Sequence, residues 1–535
     1  MSETAFDNIV IGGGSAGCVL ASRLSEDPTT RVLLLEAGHD GKGFIYEVPA
    51  GSFALMGNPK ADWIYPTEPD PSANGRSTTW AAGKVLGGGS GINGMVYIRG
   101  QRGDYDAWRE AGCPGWGFDD IYPYFLKSEQ FAGPPSVVHG RDGPLTVSPP
   151  RVLHSLAQVF LDAAAEVGMP PRQEYCAGDL AGSFFVYGTT RNGKRCSTRN
   201  AYLDPIKHRP NLTVLGQAVV DRVRLNGRRA VGVSAVVAGE RREFDVNAEI
   251  LLSAGTIASP AVLLRSGIGP GAELAALGVE VVADLPGVGR NVQEHCGVSQ
   301  SRLVNVPTYN TMVRPWQMAV HLLRYLTLKR GLLTSIAVQA MAYARSAPEL
   351  PEPDIAMSFL PLAIGFVGGQ PALASKPGVT IGSQVLRPRG RGRIRLRDSE
   401  VDSKPIIEHA LLSESRDLAL TIYGCRLVAK VFAADALKPY VIGDHEPAQL
   451  PRSDDEWEMH VRQRVGIGYH AVGSCRMGAD DGAVVDPQLR VRGIDGLRVV
   501  DASIMPNIIS GNTNAPTIAV AEKAADMIRQ RWPAL

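Results

Sequence analysis

The stretch from Asp7 to Gly38 constrains this chain more than any other. An apolar run, Ile9-Val10-Ile11, meets a glycine turn, Gly12-Gly13-Gly14-Ser15-Ala16-Gly17; an amphipathic run from Cys18 to Leu24 follows, then a second apolar run from Val32 to Leu35 that ends at Glu36. Strand, turn, helix, strand and acid in that order describe a buried strand handing the chain to a helix whose first turn faces a pyrophosphate. Gly12 permits the tight turn, Gly14 lets backbone N–H groups approach the phosphates, and Gly17 lets the helix pack on the strand. Glu36 stands 36 − 17 = 19 residues past the last glycine, where a carboxylate ending the second strand accepts hydrogen bonds from a ribose. A dinucleotide-binding α/β domain is therefore expected.

A second glycine cluster, Gly83-Lys84-Val85-Leu86-Gly87-Gly88-Gly89-Ser90-Gly91-Ile92-Asn93-Gly94-Met95-Val96-Tyr97, leads into small and apolar residues. So many residues without side chains imply backbone pressed against something flat or anionic, because a plain loop of this composition loses much entropy on folding. The chain has 535 residues, which suits two domains, and a net charge of +1, which supplies no basic field for nucleic acid. Its 7 cysteines are scattered without a C-x-x-C pair, so neither a disulfide framework nor a zinc site is expected, and no metal is assigned. The first strand begins within the first ten residues, and no apolar run of about 18 residues appears, so neither a signal peptide nor a membrane span is expected. A cytoplasmic location follows, with peripheral membrane contact left open.

These two glycine segments, together with Leu252-Ser253-Ala254-Gly255-Thr256-Ile257-Ala258-Ser259-Pro260 and Leu264 to Gly269, Pro286-Gly287-Val288-Gly289-Arg290-Asn291, and the stretch from His470 through Pro516, resemble in their order the motifs of the glucose-methanol-choline (GMC) oxidoreductase family. The resemblance covers nearly the whole length. It implies a bound FAD and a Rossmann-like FAD-binding domain interleaved with an α+β substrate domain built on an antiparallel sheet. No repeat or low-complexity linker separates the two. The expected division is 1–158, 210–302 and 465–535 for FAD, and 159–209 and 303–464 for the substrate. By the same resemblance FAD is held by Gly12, Gly14, Ser15, Ala16, Gly17, Glu36, Ala37, Trp63, Val85, Leu86, Gly88, Gly89, Ser90, Asn93, Gly94, Met95 and Val96. Val220 and Ala254 lie toward its adenosine half, and Tyr469, Asp501, Ala502, Asn512 and Thr513 toward the flavin. Some members attach FAD covalently through a histidine where this chain has Ile92, so non-covalent binding is expected.

Between the motifs the signals are weaker. Alternating apolar residues at Leu212–Leu215, Val219-Val220 and Val231–Val233 suggest strands, and a helix is expected from Pro260 to Arg265. Arg195 and Arg199 read equally well as an active-site entrance or as a solvated turn. His295, in Asn291-Val292-Gln293-Glu294-His295, is expected to be structural rather than a catalytic base, and Glu294 replaces the family's usual Asp. Trp316, Ala319, Val320, Leu323 and Leu326 recur at helical spacing beside Arg324, Lys329 and Arg330. That helix is expected to pack on the protein as a lid or oligomer contact in preference to resting on a membrane. Ile336 and Gln339 occupy positions where the family tends to carry Asn and Glu, which argues against a cationic substrate. Ile336, Phe359, Leu360 and Phe366 are the expected apolar pocket walls, although core packing explains Phe359, Leu360 and Phe366 equally well. The substrate-domain sheet is expected to include Ile394-Arg395-Leu396.

The reacting groups lie late in the chain. The resemblance sets His470, and Asn512 forty-two residues on (512 − 470), beside the flavin N5. Oxidising an alcohol requires loss of the hydroxyl proton and transfer of hydride from the same carbon. Imidazole suits the first task, and the amide of Asn512, which cannot titrate, suits positioning of the oxygen. Asp501-Ala502-Ser503 would lie under the flavin, and the helix starting near Asn514 would direct its positive end at the pyrimidine. The expected activity is oxidation of a primary alcohol to an aldehyde, with electrons leaving to a quinone-type acceptor or to O2 and a dehydrogenase preferred. Alternatives are an alcohol oxidase and an FAD-containing hydroxynitrile lyase; a non-catalytic flavin carrier would leave His470 and Asn512 without a task.

Overall fold

The computed structural model describes residues 5–367 and 370–531, leaving aside the side chains of 366–371 and 531. Strand β1 (Ala5–Ile11), helix α1 (Ser15–Leu24) and strand β2 (Val32–Leu35) form a parallel unit whose register sets Ile9, Val10 and Ile11 beside Leu33, Leu34 and Leu35. These residues are buried, as a parallel sheet covered on both faces requires, and so they read as unbroken apolar runs. Each such side chain contributes about 1.5–3 kcal/mol by leaving water. On its other edge β1 pairs in parallel with β3 (Glu240–Leu252), whose first half returns antiparallel along Arg229–Val237. Helix α2 (Gly255–Arg265) starts as soon as β3 ends, five residues before Pro260. A proline in its second turn removes one donor and leaves the rest of the helix intact.

Strand β4 (Cys296–Val304) belongs to the second sheet, in the order Val441–Glu446, β4, Gly378–Val385, Ile355–Leu360, Ala340–Ala344, Gly182–Phe185, with every pair antiparallel. The expected domain boundary after 302 thus runs through one strand. Helices Ser155–Glu166 and Ser415–Ala433 cover one face, where Phe160 stacks on Phe359. Phe184, Met341 and Tyr343 belong to the core shared with the dinucleotide-binding part. Residues 393–395 do not join this sheet as expected; Arg393–Arg395 pairs with Ile406–Glu408 in a separate ladder. Two arginines flanking Ile394 both bind Glu408, while Ile394 buries against the cluster of Trp80, Val292 and Ile407.

Helix α3 (Pro315–Leu328) forms where the spacing predicts it, yet Tyr325 is its only buried residue. It does not pack its apolar stripe on the body. The last part of the chain returns to the first sheet: β5 (Leu497–Val499) pairs in parallel with Ile250–Leu252, and α4 (Asn514–Arg531) lies along α1. The guanidinium of Arg23 forks onto the buried carboxylate of Glu522 with two bonds of 2.8 Å, and Tyr202 donates to the same group at 2.8 Å.

Candidate active site

A cleft of about 680 Å3 opens at the carboxyl ends of β1, β2 and β3, where a doubly wound sheet offers backbone donors to a ligand. Gly12, Gly14, Ser15 and Ala16 bring the start of α1 to it. No acidic residue stands in the first turn of that helix and Arg23 closes its last, so the positive end faces the cleft. Glu36 and Ala37 line it at the end of β2. The Glu36 carboxylate accepts from Gly13 N–H and Gly38 N–H at 2.8 Å each, and burial pushes its carboxyl up to about 7 despite these donors.

The second glycine cluster forms the facing wall. Gly88 has φ +50° and lies so close to the first turn that a Cβ on it would stand 2.7 Å from the Cα of Gly14. Gly88, Gly89, Asn93, Gly94, Met95 and Val96 line the cleft, as do Trp63, Val220 and Ala254. At Gly89, Gly94 and Gly255 a Cβ would meet no atom within 4 Å, so bare backbone borders open space. Such walls, a helix start and a buried ribose-type acid fit an FAD. Gly17, Val85, Leu86 and Ser90 are not among the lining residues. Gly17 packs against the Gly12 carbonyl, Val85 against Leu55, Ala61 and Ile92, and Leu86 against Gly13, while Ser90 donates to Gly87 O at 2.6 Å. They shape the walls from behind.

Both arginines left undecided by the sequence are buried. Arg195 donates to the Asn93 carbonyl (2.8 Å), Asn93 Oδ1 (3.0 Å), Ser90 O (3.1 Å) and Ser52 Oγ (2.6 Å). Among the described residues it forms no ion pair, and burial alone pulls its guanidinium down to about 9. It braces the loop that faces the cleft. Arg199 binds Gly41 O and Asp204.

The carboxyl-terminal segments complete the cleft with Tyr469, His470, Asp501, Ala502, Asn512 and Thr513. Asp501 accepts from Gly255 N–H (2.9 Å), Ser259 Oγ (2.6 Å) and Ser503 N–H (2.8 Å), tying the start of α2 to the turn after β5. Residues 293–295 run antiparallel to 468–472, through Gln293 with Val472 and Gly468 N–H to His295 O. This pairing brings together two histidines 175 positions apart: His295 Nδ1 lies 2.9 Å from His470 Nδ1. His295 Nε2 lies 3.1 Å from each of two carbonyl oxygens, those of Leu386 and Ile509, so it carries a proton. Burial holds His295 neutral, with its imidazole pulled down to about 4, so its Nδ1 is a lone pair. That lone pair accepts the Nδ1–H of His470. Nε2 of His470 is then unprotonated, with the Asn512 amide donating to it at 2.8 Å. His470 is itself held well below the ordinary imidazole value, by burial first and by His295 second. Glu294 accepts the backbone N–H of His470 at 2.8 and 2.9 Å, and burial raises its carboxyl to about 8. The sequence places His295 as structural; the structure adds its bond to His470, for which no local signal exists.

The expected pocket walls behave differently. Ile336 is buried against Gly188, which pairs with Val96. Phe359 turns into the core on the far face of the sheet, Leu360 follows it in the same strand and is half-buried outside the cleft lining, and the side chain of Phe366 lies outside the described residues. Gln339 is buried and spends its amide on Tyr309 and Ser335 and its oxygen on His154 N–H.

Fold and cleft define a flavin-dependent oxidoreductase. The amino-terminal GMC oxidoreductase model matches residues 6–297 and the carboxyl-terminal one residues 388–521, so the chain belongs to the GMC oxidoreductase family and its cofactor is FAD. It is 39% identical to the mitochondrial choline dehydrogenase of Mus musculus, over 97% of this chain and 89% of that one. It is 37% identical to an alcohol dehydrogenase [acceptor] of Pseudomonas putida, over 98% and 95%. Among solved structures, the pyridoxine 4-oxidase of Mesorbium loti superposes with a TM-score of 0.89 at 32% identity, covering 97% of this chain and 98% of that chain.

Proposed function

We propose that this chain oxidises a primary alcohol to an aldehyde and passes the electrons to a quinone-type acceptor. The observation that carries this reading is the unprotonated Nε2 of His470, oriented by His295 and bonded to the Asn512 amide at the cleft. Nε2 takes the hydroxyl proton once the alcohol displaces the Asn512 amide from it. The Asn512 amide, which faces His470 before substrate enters, then donates to the alcohol oxygen and holds it. FAD, held without a covalent link since Ile92 offers no nucleophile, supplies the two-electron acceptor for the carbinol C–H. Ser15, Glu36, Asn93, Val220, Ala254, Asp501 and Thr513 are the residues we assign to hold it.

An uncharged alcohol is preferred to a quaternary amine, because Gln339 is neutral and fully bonded, and of the cleft-lining carboxylates Glu36, Asp62 and Asp501 are taken up by hydrogen bonds while Asp402 faces water. An O2-consuming oxidase is the second reading, favoured by the similarity to a pyridoxine 4-oxidase. Anaerobic mixing with a panel of alcohols, followed by air, tests both: bleaching of the flavin identifies the substrate class, and rapid recolouring with peroxide selects the oxidase. His470→Ala is expected to keep its yellow colour and lose about 10²–10⁴-fold in turnover, the range of general-base assistance. Unchanged turnover would remove His470 from the mechanism.

A further inference from the structure

Helix α3 rests on the body through Met318 and Tyr325, which pack with Val48, Ala50 and Leu333. The opposite arc carries Trp316, Val320, Leu323 and Leu326, exposed by 65%, 42%, 63% and 55%. These positions are spaced along one helical face, so the apolar stripe that would ordinarily be buried points into solvent. The adjoining segment extends it with Phe44 and Phe53, and the edge of Phe44 meets Tyr325 with ring centroids 5.7 Å apart.

The charge on this face has one sign. Residues 313–330 contain Arg314, Arg324, Lys329 and Arg330 and no Asp or Glu. On the neighbouring segment Glu47 is paired with Lys194 at 2.7 Å and Asp40 with Lys42 at 2.9 Å, so neither offsets the helix.

We propose that α3 and residues 44–53 form a docking surface for an anionic phospholipid bilayer. Trp316, Leu323 and Leu326 enter the boundary between headgroups and acyl chains, and the arginines and lysine around them meet lipid phosphates. A second copy of the chain is a poorer occupant. A two-fold contact through this face would set its four cations against the same four on the partner. The docked segment continues to Met56 and Pro59, which line the cleft, so the membrane-facing surface adjoins the cofactor site.

The purified holoenzyme is sedimented with vesicles of phosphatidylcholine alone, or of equal parts phosphatidylcholine and phosphatidylglycerol. About tenfold more protein is expected to pellet with the anionic vesicles. Leu323→Glu, at a side chain that faces water and supports no packing, is expected to abolish pelleting while leaving the unfolding midpoint and the turnover of a water-soluble alcohol unchanged. The Arg324→Glu/Arg330→Glu pair is expected to lose the preference for anionic vesicles. Equal pelleting with both vesicles, none with either, or pelleting indifferent to these substitutions overturns the proposal. So does a dimer in sedimentation equilibrium that Leu323→Glu dissociates, which would assign the face to self-association.

Discussion

His295 holds the proton that matters on the far side of His470. Replacing it with Leu leaves the Nδ1–H of His470 without an acceptor in a buried setting, and the imidazole then gains by moving its proton to Nε2, where it is no longer a base. His295→Leu should therefore lower kcat by about 10²-fold or more while retaining FAD. His295→Gln, whose Oε1 can accept the same hydrogen, should recover part of the loss. Stopped-flow flavin reduction under anaerobic conditions separates the two variants, and a Leu variant as fast as the parent would refute the tautomer assignment. Arg195 offers a second measurement at this scale. Its guanidinium makes three bonds to the loop that faces the cleft and one to Ser52, a fork that a lysine cannot reproduce. Arg195→Lys should lose bound FAD on gel filtration before it loses fold, by about tenfold in affinity if one or two charge-assisted bonds go.

At the scale of elements, the junction of α1 with β1 and with α4 governs whether the cofactor turn exists. A Cβ on Gly17 would stand 1.9 Å from the Gly12 carbonyl, so Gly17→Ala must push the helix off its strand. Overpacking of this kind costs about 1–3 kcal/mol, and FAD content should fall with it. The Arg23–Glu522 fork ties the first helix to the last, with the carboxylate fully buried and Arg23 keeping a water-facing edge. Glu522→Gln should destabilise the fold by about 2–3 kcal/mol in urea unfolding, toward the low side of what breaking a buried ion pair costs. A shift below a few tenths would show that the two helices are held by packing alone.

For the molecule as a whole, stability without FAD should carry the signature of Glu36. Its carboxyl titrates near 7 when folded and near 4.5 when unfolded. Between those values the folded state keeps a proton the unfolded state has lost, so this group's contribution falls as pH rises through that window. The buried histidine pair acts with the opposite sign, since the unfolded chain takes up protons below about 6.5 while the folded pair stays neutral. The decisive comparison is Glu36→Gln against the parent as FAD-free proteins, in urea at about pH 5 and about pH 8. The parent's midpoint should drop more steeply with rising pH than the variant's, and parallel slopes would contradict the burial of this carboxyl. The chain's own residues determined the strand, turn, helix and acid from Ala5 to Glu36 and the second glycine wall, because short-range pattern and backbone freedom are written locally, whereas His470 and Asn512 are singled out through the family resemblance. Tertiary structure alone decided that His295 faces His470, that Arg195 is buried with no ion pair among the described residues, that Phe359 turns away from the cleft, and that α3 shows its apolar face to water. Each of these depends on which surface of one segment meets another far away in sequence, and a residue's type and spacing carry no record of that partner.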